Sequence, residues 1–380
     1  MQLVLSEDQE LLAKTAGDWV REHSPVARFR QLRDANDATG FSRPLWKQMA
    51  ELGWVGIVFP EEYGGAGMGF ADLAVVLEAL GRTLAPEPFL PTVLLGGRAI
   101  EQGSSAAQKK AWLPGVCDGS ALLAFAHSEA QSRHDPFRIA TTARADGDGF
   151  RLDGQKVQVE GAASAGAMIV VARTSGSDRS ADGLTLFLVP SDAAGLAITP
   201  QTRIDHRSVA LVNLDGVRVG KDAVIGNVGQ GAALLQQVID GATVGLCAEM
   251  LGAMSQVFDD TLHYMKTRLQ FGVPIGSFQA LKHRAAKVFM EIELARSAVM
   301  AAARAADAND ADFEKLVTLA KARCSDSFVL AANEAVQIFG GVGMTDEYDV
   351  GFYLKRARVA EMSFGDAAWH RERFARLCGY

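Results

Sequence analysis

The chain has 380 residues, 48% hydrophobic and 22% charged, with 38 Lys and Arg against 45 Asp and Glu and a formal charge of −7. This length exceeds what one hydrophobic core supports, so two or three packed subdomains are expected. The interspersed charges of net negative sign argue against nucleic acid as a partner, and the absence of any block of like charge argues against a membrane-binding arm. Cys117, Cys247, Cys324 and Cys378 are far apart and form no CxxC, so neither a zinc site nor a disulfide framework is indicated and no metal is expected. The opening MQLVLSEDQELL carries acids where a signal peptide carries bases, and no uninterrupted apolar run reaches about 18 residues. A reduced, cytoplasmic setting without a membrane partner is the expectation.

Residues 6–118 read as helical. Ser6 with Gln9 makes a capping box, and Leu12, Ala16, Trp19 and Val20 follow at helical spacing. Further helices are expected from about Pro44 to Leu52, over Phe70–Leu84 and over Ala106–Leu113. The Gly64–Gly69 cluster has no preceding strand and no GK[ST], so it reads as a turn packed between helices rather than a phosphate loop. Near Ser120 the texture changes to short β-branched segments broken by Gly and Asp. Eight strands are expected: Leu122–His127, Ile139–Ala145, Phe150–Leu152, Lys156–Val159, Ala167–Arg173, Gly183–Val189, Ala210–Leu214 and Val217–Val219. From Gly231 the 3.6-residue period returns, with long helices expected at 231–267, 278–306, 311–338 and 346–376. The expected fold class is therefore α+β multidomain: an N-terminal all-α domain (1–118), a middle β-barrel or sandwich domain (119–225) and a C-terminal four-helix bundle domain (226–380).

One stretch stands apart, RLQFGVPIGSFQALKH from Arg268 to His283. Gly272, Pro274 and Gly276 break any helical run, so this is a helix end, a turn and a helix start joining two long antiparallel helices. The loop presents Arg268, Phe271 and Gln279. A guanidinium, an aromatic plane and an amide suit a pyrophosphate and a flat ring system, although a plain polar hairpin has the same composition.

These residues resemble the R-x-x-F-G-x-P-I-x-x-F-Q signature of the acyl-CoA dehydrogenase family. Two further segments match that family in order: Gln337-Ile-Phe-Gly340-Gly341-Val-Gly343-Met-Thr345-Asp-Glu347-Tyr348, and Pro60-Glu61-Glu62-Tyr63-Gly64-Gly65-Ala66-Gly67 near the N-terminus. The resemblance implies FAD as cofactor, an acyl-CoA substrate and an electron-transferring flavoprotein as acceptor. It also implies an oligomer, either a homo-tetramer or a heterotetramer with a paralogous subunit, in which this loop reaches the neighbour's flavin. On that basis Arg268 pairs with pyrophosphate, Phe271 stacks, Gln279 and Gln337 donate amide bonds, and Gly340-Gly341 lets backbone come close to the cofactor. A plain helix C-cap is the competing reading of the two glycines. The flavin-lining strand and turn of the family correspond to Ala124-Phe125-Ala126-His127-Ser128-Glu129-Ala130, where Phe125 and Ser128 are the expected contacts and Glu129 is open to a surface role. The following Arg133-His134-Asp135 replaces the usual Gly-Ser-Asp. In Gly154-Gln155-Lys156-Val157-Gln158-Val159-Glu160, Gln158 replaces an aromatic, and Glu160 stands where a hydroxyl approaches flavin N5.

The family's reaction needs a carboxylate to take a proton from the carbon beside the thioester carbonyl. The resemblance places it in one of two spots. One is the turn Ser363-Phe364-Gly365-Asp366, where Phe364 occupies the position of the Glu. The other, before Arg268, falls on Ala242 and Thr243. Asp240 and Asp366 are the nearest carboxylates and the candidate bases, with helix capping or exposure as the plain alternative. His283 and His370 read as polar helix-face residues. Three readings stay open: a base-lacking subunit of an α2β2 assembly, a homo-oligomer using Asp240 or Asp366, and a flavin-less structural or regulatory homologue. Tyr353-Leu354-Lys355-Arg356-Ala357 with Phe364-Gly365-Asp366 and His370-Arg371 resembles the branch acting on bulky thioesters such as steroid acids.

Overall fold

The computed structural model describes every residue except Met1, Gln2, Leu3, Asn36 and Ala38. The first three residues of the acidic N-terminal stretch thus lie outside the described residues. In chain order the helices are α1 (Glu7–His23), α2 (Val26–Asp34), α3 (Arg43–Glu51), α4 (Phe70–Arg82), α5 (Arg98–Gly103), α6 (Ala106–Cys117), α7 (Ala232–Thr267), α8 (Gln279–Ala308), α9 (Phe313–Phe339), α10 (Val350–Met362) and α11 (Ala367–Leu377). The strands are β1 (Leu123–Ala126), β2 (Thr142–Asp146), β3 (Gly149–Glu160), β4 (Ala167–Arg173), β5 (Leu184–Pro190), β6 (Leu196–Thr202), β7 (Ser208–Gly220), β8 (Val224–Ile225), β9 (Leu269–Gln270) and β10 (Val273–Pro274). An all-helical, then β, then all-helical order is observed, as the sequence indicates.

The chain folds as two compact units, one of Met1–Gln31, Gly69–Ala85 and Thr243–Tyr380, the other of Leu32–Met68 and Pro86–Ala242. In the first, α1 starts on the expected Ser6–Gln9 capping box and packs on α4, where Gln9 Nε2 donates to Asp72 Oδ1 at 2.9 Å. Helix α4 meets α7 at backbone contact distance: a Cβ on Gly252 would lie 1.9 Å from the Glu78 carbonyl oxygen, so only glycine fits there. Helix α9 is the hub of the C-terminal part, touching α8, α10 and α11. The helix expected at 346–376 is two helices. Phe364 and Gly365 take left-handed φ values of +57° and +108°, which no α-helix accommodates, and the chain re-enters a helix only after Asp366.

The second unit holds one eight-stranded mixed sheet in the order β6-β7-β3-β2-β4-β5-β8, with β1 added parallel to β4. Its core includes Leu152, Val159, Met168, Val170, Phe187, Val212 and Val217. The segments expected as separate strands at 150–152 and 156–159 are one strand, as are those at 210–214 and 217–219. Both interruptions fall at one irregularity of the β3–β7 ladder, between Leu152 and Gly154, and a second lies between Lys156 and Val159, inside the expected 156–159 segment. Strand β6 was not expected, because its mostly exposed, polar sequence lacks the alternation of a half-buried strand; it pairs with β7 at the sheet edge. The π-helical turn Phe89–Gly97 is buried on every side and so carries no amphipathic period. Helix α7 is the one described helix long and apolar enough to cross a membrane, and its apolar window is wholly buried inside the protein.

Candidate active site

In the first unit the two C-terminal signature segments come together. The chain leaves α7 with Arg268 N–H donating to the Tyr264 carbonyl at 2.8 Å, makes the β9–β10 hairpin, and closes with Ile275 N–H to the Arg268 carbonyl at 2.9 Å. Phe271 and Gly272 form the tip, both with positive φ (+53° and +82°), the requirement of a two-residue type I′ turn. Ile275 is buried with Met265, Ala285 and Ile338, which ties the hairpin to α8 and to the end of α9. The Tyr264 ring stacks on Phe339 at 4.2 Å and 13°, and Tyr348 packs edge-on against both. The Phe339–Gly341 turn is thereby fixed next to the hairpin.

Around this junction Arg268, Phe271, Gln279, Gln337, Gly340 and Gly341 are all exposed, Phe271 to 92%. Among the described residues the Arg268 guanidinium and the Gln279 and Gln337 amides have no hydrogen-bond or ion-pair partner. Gly340, at φ +68°, ends α9 and needs glycine for its conformation alone. Gly341 has no positive φ, and a Cβ there would meet nothing within 4 Å. Nothing in the chain itself requires it to be glycine. An open cation, two open amides, an exposed ring and a glycine that clears space outside the chain fit a pyrophosphate-bearing cofactor with a flat ring system.

The second unit presents the other expected segment. β1 is buried along its length, and Phe125, 3% exposed, is a core residue beneath the turn. Ser128 Oγ lies 3.1 Å from His127 Nε2 and is partly exposed. Burial first, then the Lys156 charge, lowers the His127 imidazole to about 4, so it is neutral. Glu129 is not a surface carboxylate. It is 5% exposed and accepts from Lys156 Nζ (2.6 Å), Thr141 Oγ1 (2.6 Å), Thr141 N (3.0 Å) and Ala140 N (2.7 Å). Burial pushes its carboxyl up, but the Lys156 ammonium and these donors outweigh that and hold it at about 2. Lys156 itself is lowered to about 8, burial outweighing Glu129. We take Glu129 and Lys156 as an ion pair at neutral pH, because the carboxylate is saturated with donors. With Val157 N–H on the Ser128 carbonyl at 2.9 Å, this pair pins the turn to β3.

Gln158 is exposed on the β3 bulge with φ +54°. Glu160, expected at the N5 edge of a flavin, is paired with Arg203 (3.6 Å) and Arg207 (3.3 Å), and Arg203 also binds Asp205 at 2.7 Å. Two guanidinium groups thus neutralise Glu160. No motif marked these arginines, which arrive from the loop between β6 and β7.

At the two places where the resemblance led a carboxylate to be expected, Ala242 and Thr243 are buried on α7, and Phe364 occupies the Ser363–Asp366 turn. Asp366 Oδ1 accepts from Trp369 N–H at 2.8 Å and caps α11. Asp240 is 1% exposed. His370 is not a polar helix-face residue: it is 1% exposed, with Nε2 3.1 Å from the Phe364 carbonyl. Lys321, which the sequence reading passed over, is fully buried beneath the same turn. Its spacing from Val317, Cys324 and Phe328 on the inward stripe of α9 is the signal that could have marked it.

The chain matches three family models along its length: acyl-CoA dehydrogenase, N-terminal domain (residues 6–120), middle domain (124–217) and C-terminal domain (229–378). It is 32% identical over 365 residues to acyl-CoA dehydrogenase FadE12 of Mycobacterium tuberculosis, covering 94% of this chain and 92% of that one. Among solved structures, the Tcur3481-Tcur3483 steroid ACAD, studied as a variant, superposes with a TM-score of 0.87 at 31% identity over 98% of each chain. The ChsE4-ChsE5 complex from Mycobacterium tuberculosis superposes with a TM-score of 0.89 at 26% identity over 100% of each chain. This chain belongs to the acyl-CoA dehydrogenase family, whose members are FAD-dependent oxidoreductases.

Proposed function

We propose that this chain is the base-lacking subunit of a cytoplasmic, heteromeric acyl-CoA dehydrogenase, paired with a paralogous chain that supplies the carboxylate. The single observation that carries this reading is Phe364: the turn that should present a base presents a hydrocarbon ring, and the nearby Asp366 carboxylate is engaged as a helix cap. When bound, FAD supplies the hydride acceptor for α,β-dehydrogenation of the thioester. This chain's residues bind and orient. Arg268 offers its guanidinium to the pyrophosphate, Phe271 offers a ring face, and Gln279, Gln337 and the Gly340–Gly341 turn complete the flavin site of a neighbouring subunit. Ser128 and Glu160 face this chain's own flavin position, where the arginine-neutralised Glu160 departs from the usual hydroxyl. The two solved assemblies named above support a mixed oligomer and a bulky, steroid-like acyl group. Arg133-His134-Asp135 supports an altered grip on the CoA chain, and an electron-transferring flavoprotein is the proposed acceptor.

The test is flavin absorbance at about 450 nm, with acyl-CoA oxidation, for the chain alone and for the chain co-expressed with its paralogue. Flavin and turnover confined to the co-expressed sample is the expected result. Full flavin content and turnover in the lone chain would overturn the proposal in favour of a homo-oligomer using Asp240 or Asp366. No flavin in either sample would overturn it in favour of a structural homologue.

A further inference from the structure

The Ser363–Asp366 turn is more tightly held than a vestigial loop needs to be. Lys321 Nζ donates to the Gly365 carbonyl at 2.7 Å, the Glu361 carbonyl at 3.0 Å and Ser325 Oγ at 3.0 Å, which uses all three of its N–H groups. Two of the three acceptors are main-chain oxygens on either side of Phe364. The carbonyl of Phe364 itself faces His370 Nε2 at 3.1 Å. A carbonyl only accepts, so Nε2 must carry the proton and donate. Ser363 N–H and Oγ both bond the Val359 carbonyl, at 3.1 and 2.9 Å. Gly365 cannot be another residue: at φ +108° a Cβ would lie 2.6 Å from the Trp369 ring and 3.1 Å from His370 Nε2. Phe364 sits at φ +57°, a conformation that side chains rarely adopt, and persists there because its surroundings over-determine it.

We propose that Lys321 and His370 are positioning residues that hold residue 364 in this left-handed conformation and present its side chain to the acyl group, so that Phe364 forms a wall of the acyl pocket on a mount that would equally carry a base. The part concerning the acyl group rests on the proposed function; the clamp does not. No carboxylate lies within ion-pair distance of Lys321 among the described residues. The groups facing it are the Cys247 thiol from α7, the Cys324 thiol from α9, Glu361 from α10, and Asp366 and His370 from the turn and α11. Glu361 is paired with Arg358 at 3.2 Å, and Asp366 caps α11. Burial lowers Lys321 to about 8, against the pull of these groups, and burial followed by the Lys321 charge lowers His370 to about 3. His370 therefore stays neutral, and Lys321 is the member of the clamp that titrates near neutrality.

Hydrogen exchange of the Ser363–Trp369 amides in the co-expressed assembly tests the clamp. Relative to wild type at pH 7, Lys321→Met is expected to lose about tenfold in protection across the turn while α8 and α9 stay protected. Opening the turn hydrates Lys321 and restores its higher ordinary value, so wild-type protection, corrected for intrinsic exchange, should rise above about pH 8, and the variant should show no such step. His370→Gln, which keeps an N–H donor, should retain protection that His370→Leu loses, and this pair decides the matter if Lys321→Met does not fold. Unchanged turn protection in Lys321→Met and His370→Leu would overturn the clamp. Presentation to the acyl group is tested separately by Phe364→Glu. A gain in acyl-CoA oxidation that Lys321→Met then removes supports it; a gain that survives Lys321→Met overturns the positioning role. Absence of any gain, with the turn still protected, overturns the placement of the turn at the acyl group and leaves the clamp standing.

Discussion

Lys156 in the sheet unit and Lys321 in the helical unit are both fully buried, and burial lowers both ammonium groups from 10.5 to about 8. Only Lys156 has a carboxylate against it, Glu129 at 2.6 Å; Lys321 is surrounded by a hydroxyl and two carbonyl oxygens. In the first case the opposing charge is itself bound by Thr141 and Ala140, so removing either partner strands a charge in the interior. In the second case no carboxylate is in contact, and hydroxyl and carbonyl dipoles with the more distant pull of Cys247, Cys324, Glu361 and Asp366 offset part of the cost of burial, to the benefit of the shape of one turn. A buried lysine can thus be a structural rivet or a local clamp, and its partners decide which.

The largest expected effect breaks the rivet. Glu129→Ala leaves the Lys156 ammonium unpaired and should cost about 3–5 kcal/mol, read from the urea midpoint. A midpoint within error of wild type would show that the two lysines do not differ as described. The acid limb sharpens the same point. Because folding lowers the Glu129 carboxyl from 4.5 to about 2, its stabilisation is fully present above about 4.5 and is lost as pH falls from there toward 2. Glu129→Gln should flatten that limb.

Lys321→Met is expected to shift global stability by no more than about 1–2 kcal/mol, since the lost hydrogen bonds are offset by relief of a buried charge. The folded Lys321 sits below its unfolded value, so the folded state holds fewer protons between about 8 and 10.5, and stability rises with pH across that window. Urea midpoints at the two ends of the window should show a smaller rise in Lys321→Met than in wild type. A global loss as large as that of Glu129→Ala would make Lys321 a rivet too. Asp366→Ala removes the cap of α11 and should cost about 1 kcal/mol by thermal melting; a negligible change would free Asp366 from its structural role and reopen it as a base. Arg268→Ala, at an open surface, should change stability by less than about 0.5 kcal/mol while lowering the flavin retained by the assembly. Undiminished flavin content would remove the pyrophosphate role.

Much of the helical architecture was legible because an inward stripe repeats every three or four residues, as along α7 to α9. The last helix was misread as continuous because the break at Phe364 is held by tertiary contacts, from Lys321 on α9 and from His370 on α11, that no local period shows. In the sheet, the stretch between Leu152 and Lys156 looked like a break between strands and holds a bulge within one, a distinction that only the paired strand β7 makes. Phe125, expected as a cofactor contact, is buried in the chain, which a strand sequence could not foretell because it does not disclose whether one or both faces are covered.

The sequence by itself determined the family, the exposed chemistry of the Arg268–Gln279 loop and the phenylalanine at position 364, since each depends on which residues occupy a short segment. Only the tertiary structure decided that Glu129 is buried rather than exposed, that two arginines neutralise Glu160, and that the turn at Phe364 is clamped. Those facts depend on contacts between residues far apart in the chain, 27 for Lys156 with Glu129 and 44 for Lys321 with Gly365. Burial and hydrogen-bond partnership over such separations are set when the elements pack, and no local period encodes them.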